Sequence, residues 1–219
     1  MKKNLEILTT YKCNFTCDYC DINYLNHKKV DPTSSYATLD AILNENDIAE
    51  VSLCAKEPIL DSNFSNIYNK IKDYDVIVFS NASNKSTEKF LSFGFETDIR
   101  LILSFHPNFI SIRDFTINCL KLSQKFRIDT INIMVEDRNY NSYFKKLKSL
   151  FITQINVRQP FYNLTTTKQV NRKGLECHLK HLIFFNFITN KVSRCFPYNI
   201  LNKDYNGICE SNFCSCVDY

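Results

Sequence analysis

Three cysteines near the start of the chain, in the run Tyr11-Lys12-Cys13-Asn14-Phe15-Thr16-Cys17-Asp18-Tyr19-Cys20, have the types and spacing to do chemistry. Their pattern is C-x3-C-x2-C, with aromatic Tyr19 just before the last thiol. Three thiolates can hold three irons of a [4Fe-4S] cluster and leave the fourth iron without a protein ligand. An open coordination position is what separates a catalytic metal site from a closed structural one. The same cysteines stand at i, i+4 and i+7, which would also place them on one helical face as small apolar residues. The flanking Lys12, Asn14, Thr16 and Asp18 make a poor helix, so ligation is the stronger reading.

Such a loop needs a scaffold. Short apolar runs alternate with helical patterns along the chain, which is the βαβ signature of a parallel sheet. Strands are expected at Asn4–Leu8, Ala49–Leu53, Asp75–Phe79, Arg100–Leu103, Thr130–Val135 and Ile152–Val157, with helices between them. The clearest helix runs from Ile112 to Lys125, where Ile112, Phe115, Cys119 and Leu122 make one apolar stripe. Six strand–helix units suit an α/β fold, a partial, open (β/α)6 TIM-like barrel. Sites in such barrels sit at the carboxyl ends of the strands. The three cysteines follow the first strand and Glu57 the second; Ser80 and Asn81 follow the third, and Ser104 and His106 the fourth. Glu136 follows the fifth, and Arg158 and Gln159 the sixth.

A chain of 219 residues has room for one domain and a small appendage. A net charge of +4, from 27 basic and 23 acidic residues, is too mild to imply a nucleic-acid partner. The longest apolar stretch, Leu182 to Ile188, is short and interrupted by Asn186, so no membrane partner is expected. Glu6 breaks the only apolar run at the N-terminus, which leaves no signal-peptide core. These features together predict a soluble, cytoplasmic protein. The ten cysteines fall into a group at the start, a group at the end and two between, a grouping that favours metal ligation in a reducing compartment over disulfides. Cys54 and Cys119 read as structural thiols.

The cysteine motif resembles the signature of the radical SAM (S-adenosylmethionine) enzymes. The resemblance implies that SAM chelates the open iron and that an electron from the reduced cluster splits SAM to methionine and a 5′-deoxyadenosyl radical. That radical takes a hydrogen atom from the substrate. Ala55-Lys56-Glu57-Pro58 is similar to the family's Gly-Gly-Glu-Pro motif, which contacts the methionine amine, with both glycines replaced and Glu57 left as the ammonium partner. Phe79-Ser80-Asn81-Ala82 is similar to the Thr-Asn-Gly turn after strand three, and Leu103-Ser104-Phe105-His106 to the strand-four Ser-Leu-Asp pattern. The resemblance thus implies a cofactor-binding set of Tyr19, Ala55, Lys56, Glu57, Pro58, Ser80, Asn81, Ser104 and Met134. No catalytic residue is assigned: His106, Glu136 and Arg158 are the candidates, and a loop histidine without function is the better reading of His106.

Cys177 and Cys195 flank an apolar run and a plausible hairpin turn, Thr189-Asn190-Lys191, and Cys209, Cys214 and Cys216 follow. This layout resembles the twitch domain, the shortened form of the SPASM domain, with Asn190 where the family has a glycine. It implies one auxiliary [4Fe-4S] cluster on four of these five cysteines, with four-thiolate zinc as the rival. The expected organisation is a barrel over 1–165, a connector over 166–174 and the twitch-like region over 175–219.

The leading expectation is an oxygen-sensitive radical SAM enzyme acting by dehydrogenation, epimerisation or bond formation. It would draw electrons from a low-potential donor such as flavodoxin or ferredoxin. With the first motif cysteine at residue 13, no N-terminal peptide-recognition domain is expected. That tilts the reading toward a small polar molecule, with a peptide side chain, presented by a separate recognition partner, close behind. Two other classes stay open: a non-catalytic iron–sulfur or zinc protein that kept the fold, and an electron-transfer or scaffold partner.

Overall fold

In Asn4-Leu5-Glu6-Ile7 polar and apolar residues alternate, so one face of the strand is made for a core and the other is not. The computed structural model of the chain describes residues 2–18, 20, 30–134, 140–158 and 181–193. In it β1 (Lys3–Leu8) is followed by α1 (Pro32–Glu45), β2 (Ile48–Cys54), α2 (Phe64–Ile71), β3 (Asp75–Ser80) and α3 (Asn84–Ser92). Then come β4 (Ile99–Phe105), α4 (Ile112–Ser123), β5 (Arg127–Met134), α5 (Asn141–Leu150), β6 (Gln154–Arg158), β7 (Leu182–Asn186) and β8 (Lys191–Ser193).

All eight strands form one sheet in the order β6-β5-β4-β3-β2-β1-β7-β8. Neighbours are parallel except β7 and β8, which form an antiparallel hairpin. The expected α/β barrel-type architecture is therefore present, and its six expected strands are all found. The hairpin adds to the same sheet: β7 lies parallel to β1, with Asn4 opposite Leu182 and Leu8 opposite Asn186.

Register and alternation sort the side chains into two faces. Leu5, Ile7, Val51, Leu53, Val76, Val78, Leu101, Leu103, Ile131 and Ile133 are all excluded from solvent. They form one core with Leu39, Ile67, Phe90, Phe115, Cys119, Leu122 and Leu147 of the helices. Each such leucine or isoleucine contributes roughly 1.5–3 kcal/mol through burial. The other face carries Asn4, Glu6, Glu50, Ser52, Arg100, Ser104 and Asn132, matched strand to strand by the register.

At the amino end of that polar face Arg100 gathers three strands. Its Nη2 lies 2.6 Å from Glu50 Oε2 and 2.6 Å from Asp75 Oδ2, and its Nη1 lies 2.6 Å from Asp129 Oδ2. Burial works against the charge, but the bonds from Asp75, Glu50 and Asp129 outweigh it and hold the guanidinium above its ordinary pKa. The open end of the barrel that remains is the carboxyl end, where the cysteine loop lies.

Candidate functional site

The cysteine loop leaves β1 and is fastened at once to the segment that follows β2. The Thr9 backbone N–H donates to the Cys54 carbonyl at 3.3 Å, and the Glu57 N–H donates to the Lys12 carbonyl at 3.2 Å. The Thr10 hydroxyl donates to Asp61 Oδ2 at 2.6 Å and accepts from the Lys12 N–H at 2.9 Å. Cys13, Cys17 and Cys20 are not in disulfides, with Cys17 buried and the others half-buried.

Two of the sulfurs are met by nitrogen atoms. Cys13 Sγ accepts from the Phe15 backbone N–H at 3.3 Å and from Asn81 Nδ2 at 3.6 Å. Cys17 Sγ lies 3.7 Å from His106 Nδ1. Burial holds the Cys13 thiol above its ordinary pKa, against the pull of the Phe15 N–H. A thiol in that state becomes a thiolate when a metal displaces its proton. Among the described residues no group of three Cys, His, Asp or Glu side chains is gathered as the ligands of a single metal ion would be. A four-iron cluster asks for something else, one thiolate at each of three separate irons. Three thiols on one anchored loop, with nitrogen atoms already facing two of the sulfurs, fit that group.

Glu57 is wholly excluded from solvent. Its Oε1 accepts from the Ser80 hydroxyl at 2.6 Å and its Oε2 from the Asn81 backbone N–H at 2.7 Å. Burial pushes this carboxyl up to about 7, against those two hydrogen bonds. The side chain thus ties the loop after β2 to the loop after β3. Asn81 extends the tie. Its Nδ2 donates to Asn14 Oδ1 at 3.0 Å, and its Oδ1 accepts from the Ser83 N–H at 2.9 Å and the Ser86 hydroxyl at 3.3 Å.

Backbone conformation marks the same loops. Ala55 (φ 70°), Lys56 (φ 51°) and Ala82 (φ 48°) are all left-handed, at the three positions where the resembling motifs carry glycine. The turn geometry is therefore kept without glycine, and each residue bears roughly 1–2 kcal/mol of strain for it. The Ala82 carbonyl is held by Asn118 Nδ2 of α4 at 2.8 Å.

The remaining expected residues are distributed as follows. Pro58 is buried at the start of a short 3-10 turn that runs to Leu60. Ser104 lies within β4, one residue short of its end, opposite Asn132 of β5. Met134 ends β5, in register with Arg158 of β6. His106 is the first residue beyond β4, and burial lowers its pKa to about 4. Tyr19, Glu136, Gln159, Cys177, Cys195, Cys209, Cys214 and Cys216, and the 166–174 connector, lie outside the described residues, as does the Arg158 side chain.

Several residues that shape the site escape a reading by motif. Asn118 sits on the buried stripe of α4, and a polar residue on an apolar stripe is the signal that marks it. Asn186, the interruption in the longest apolar run, accepts at Oδ1 from the Ile188 and Thr189 N–H groups at 3.1 and 3.2 Å. Its Nδ2 lies 3.2 Å from the Tyr11 hydroxyl at the head of the cysteine loop. Phe15 stacks on Phe109 with ring centroids 5.1 Å apart and meets the His106 ring edge-on at 5.7 Å.

No family model matches the chain. An uncharacterised protein of Methanocaldococcus jannaschii is 27% identical over 187 residues, which make up 84% of this chain and 59% of that protein. The solved structure of Streptococcus suis SuiB bound to precursor peptide SuiA is similar with a TM-score of 0.52 at 10% identity, over 96% of this chain and 63% of SuiB. Native anSMEcpe with bound AdoMet and Cp18Cys peptide is similar with a TM-score of 0.54 at 16% identity, over 81% of this chain and 54% of that one. The chain spans less than two thirds of the length of each. Both solved structures are radical SAM enzymes, and at these identities the likeness is one of fold: this chain has the partial-barrel architecture that they share.

Proposed function

We propose that the chain is a radical SAM enzyme that holds a [4Fe-4S] cluster on Cys13, Cys17 and Cys20. The observation that carries this reading is the strapping of the cysteine loop at the carboxyl end of β1 by Glu57, Asn81 and His106, from the ends of β2, β3 and β4. Bound there, the reduced cluster would supply the electron that splits SAM into methionine and a 5′-deoxyadenosyl radical, which takes a hydrogen atom from the substrate.

The protein's own part is to orient SAM and exclude water. In this reading the left-handed turn at Ala55–Lys56 presents backbone groups to the methionine ammonium. Glu57 holds that turn against the loop after β3 through Ser80 and Asn81. Ser104 and Met134 supply the surface for the ribose and adenine, with Tyr19 beside the last cysteine. Glu136 and Arg158 remain the substrate-facing candidates.

The substrate proposed is a peptide or protein side chain. The peptides bound to SuiB and anSMEcpe support it, and they move the reading away from a small polar molecule. Four of Cys177, Cys195, Cys209, Cys214 and Cys216 are proposed to hold an auxiliary cluster in a twitch-like region over 175–219, with flavodoxin or ferredoxin as electron donor. Among the described residues no helix is long and apolar enough to cross a membrane. The retained left-handed turns argue against the reading of a fold that has lost its SAM site.

Anaerobically reconstituted protein, reduced and given SAM, should release 5′-deoxyadenosine even without substrate. Release no greater than that of a Cys17→Ala control overturns the proposal.

A further inference from the structure

We propose that His106 sets the reduction potential of the cluster by donating its Nδ1–H to Cys17 Sγ, an inference that rests on the cluster assignment above. The ring is fixed for this task. His106 is the first residue after β4, and its carbonyl accepts from the Phe109 and Ile110 N–H groups at 3.0 and 3.1 Å, which closes a turn immediately beyond the strand. Phe15, two residues before Cys17, packs edge-on against the imidazole, and Phe109 stacks on Phe15. The ring is thereby held against the cysteine loop, with Nδ1 at 3.7 Å from the sulfur.

The chemistry follows from the acceptor. A hydrogen bond to a cluster thiolate draws electron density from the sulfur and favours the reduced cluster, which carries one more negative charge. Removing the donor therefore lowers the potential. Cys13 draws its donors from Phe15 and Asn81, so His106 serves a different corner of the cluster from a different strand. A histidine in this position is a tuning residue for the cluster and is removed from the list of acid–base candidates for the substrate.

The experiment is a potentiometric titration of the full chain, followed by electron paramagnetic resonance. It reads the midpoint of the signal that a Cys13/Cys17/Cys20 triple alanine variant lacks. His106→Phe keeps a ring against Phe15 and removes the N–H; His106→Gln keeps a donor. A midpoint shifted to lower potential in His106→Phe and close to wild type in His106→Gln is the expected result. Loss of iron from His106→Phe with normal loading of His106→Gln supports the same conclusion. An unchanged midpoint in His106→Phe, an equal shift in both variants, or failure of both to take up iron overturns it, because the contact is then one of packing alone. If the triple alanine variant loses neither iron nor signal relative to wild type, the cluster assignment itself fails. A normal cluster whose midpoint ignores His106→Phe sinks only the present inference.

Discussion

Ala55, Lys56 and Ala82 hold backbone that glycine would adopt freely, so the loops around the site carry strain that single substitutions should relieve. Ala55→Gly is expected to stabilise the fold by about 0.5–1 kcal/mol, the left-handed penalty less the extra chain entropy of glycine. The gain at Ala82 should be smaller, because its methyl is fully buried and would be lost. Urea midpoints at constant slope read both differences. Glu6 gives a second prediction at this scale. Burial first, and the neighbouring Glu50 second, push its carboxyl up to about 7, against an unfolded value of 4.5. The folded chain therefore holds this proton more tightly than the unfolded chain does. Its favourable share of stability is complete at low pH, declines as pH rises from 4.5 to about 7, and is gone above that. Glu6→Gln should flatten that decline and raise stability by on the order of 2 kcal/mol near pH 8, with little change near pH 4. Equal effects at both pH values would refute the assignment. That polar residues gather at the carboxyl ends of the strands was legible from the strand pattern and the motif resemblance, whereas the commitment of both Glu57 oxygens to Ser80 and Asn81 was not. A Glu-Pro pair reads the same whether its carboxylate faces a ligand or a neighbouring loop.

At the scale of elements, the strand centres were legible because each is a short apolar run with turn residues on either side. The ends were less so. β4 runs on to Phe105, since that ring is buried against Phe115 and Tyr143, both distant in sequence. β6 starts at Gln154 and not at Ile152, whose side chain is fully exposed. The hairpin turn was legible in Thr189-Asn190-Lys191, and Asn190 does take the left-handed conformation, with φ 56°. Asn190→Gly should leave stability within about 0.5 kcal/mol of wild type, whereas Asn190→Val should cost roughly 1–2 kcal/mol. Thermal unfolding followed by circular dichroism distinguishes the two. The partner of β7 was not legible. Leu182 to Asn186 is buried throughout, which says only that the strand is covered on both faces, not which strand lies beside it.

Across the whole molecule, the polar face of the sheet is closed at one end by Arg100 and its carboxylates and open at the other, at the cysteine loop. Arg100→Met would leave Glu50 and Asp75 without their cation and Asp129 with Arg127, and it should cost roughly 2–4 kcal/mol. Urea midpoints of the variant and of wild type, read at constant slope, test that loss. The pairing of β1 with β7 bears on how the chain comes together in time. β1 is made before the other described strands, yet one of its edges stays bare until residues 182–186 have been synthesised and docked. Through most of synthesis the strand that leads into Cys13 is thus an open template for wrong pairing, and the last parallel contact closes the longest loop in the sheet. Truncation before β7 should therefore yield a chain that aggregates through β1, which light scattering against the full chain checks.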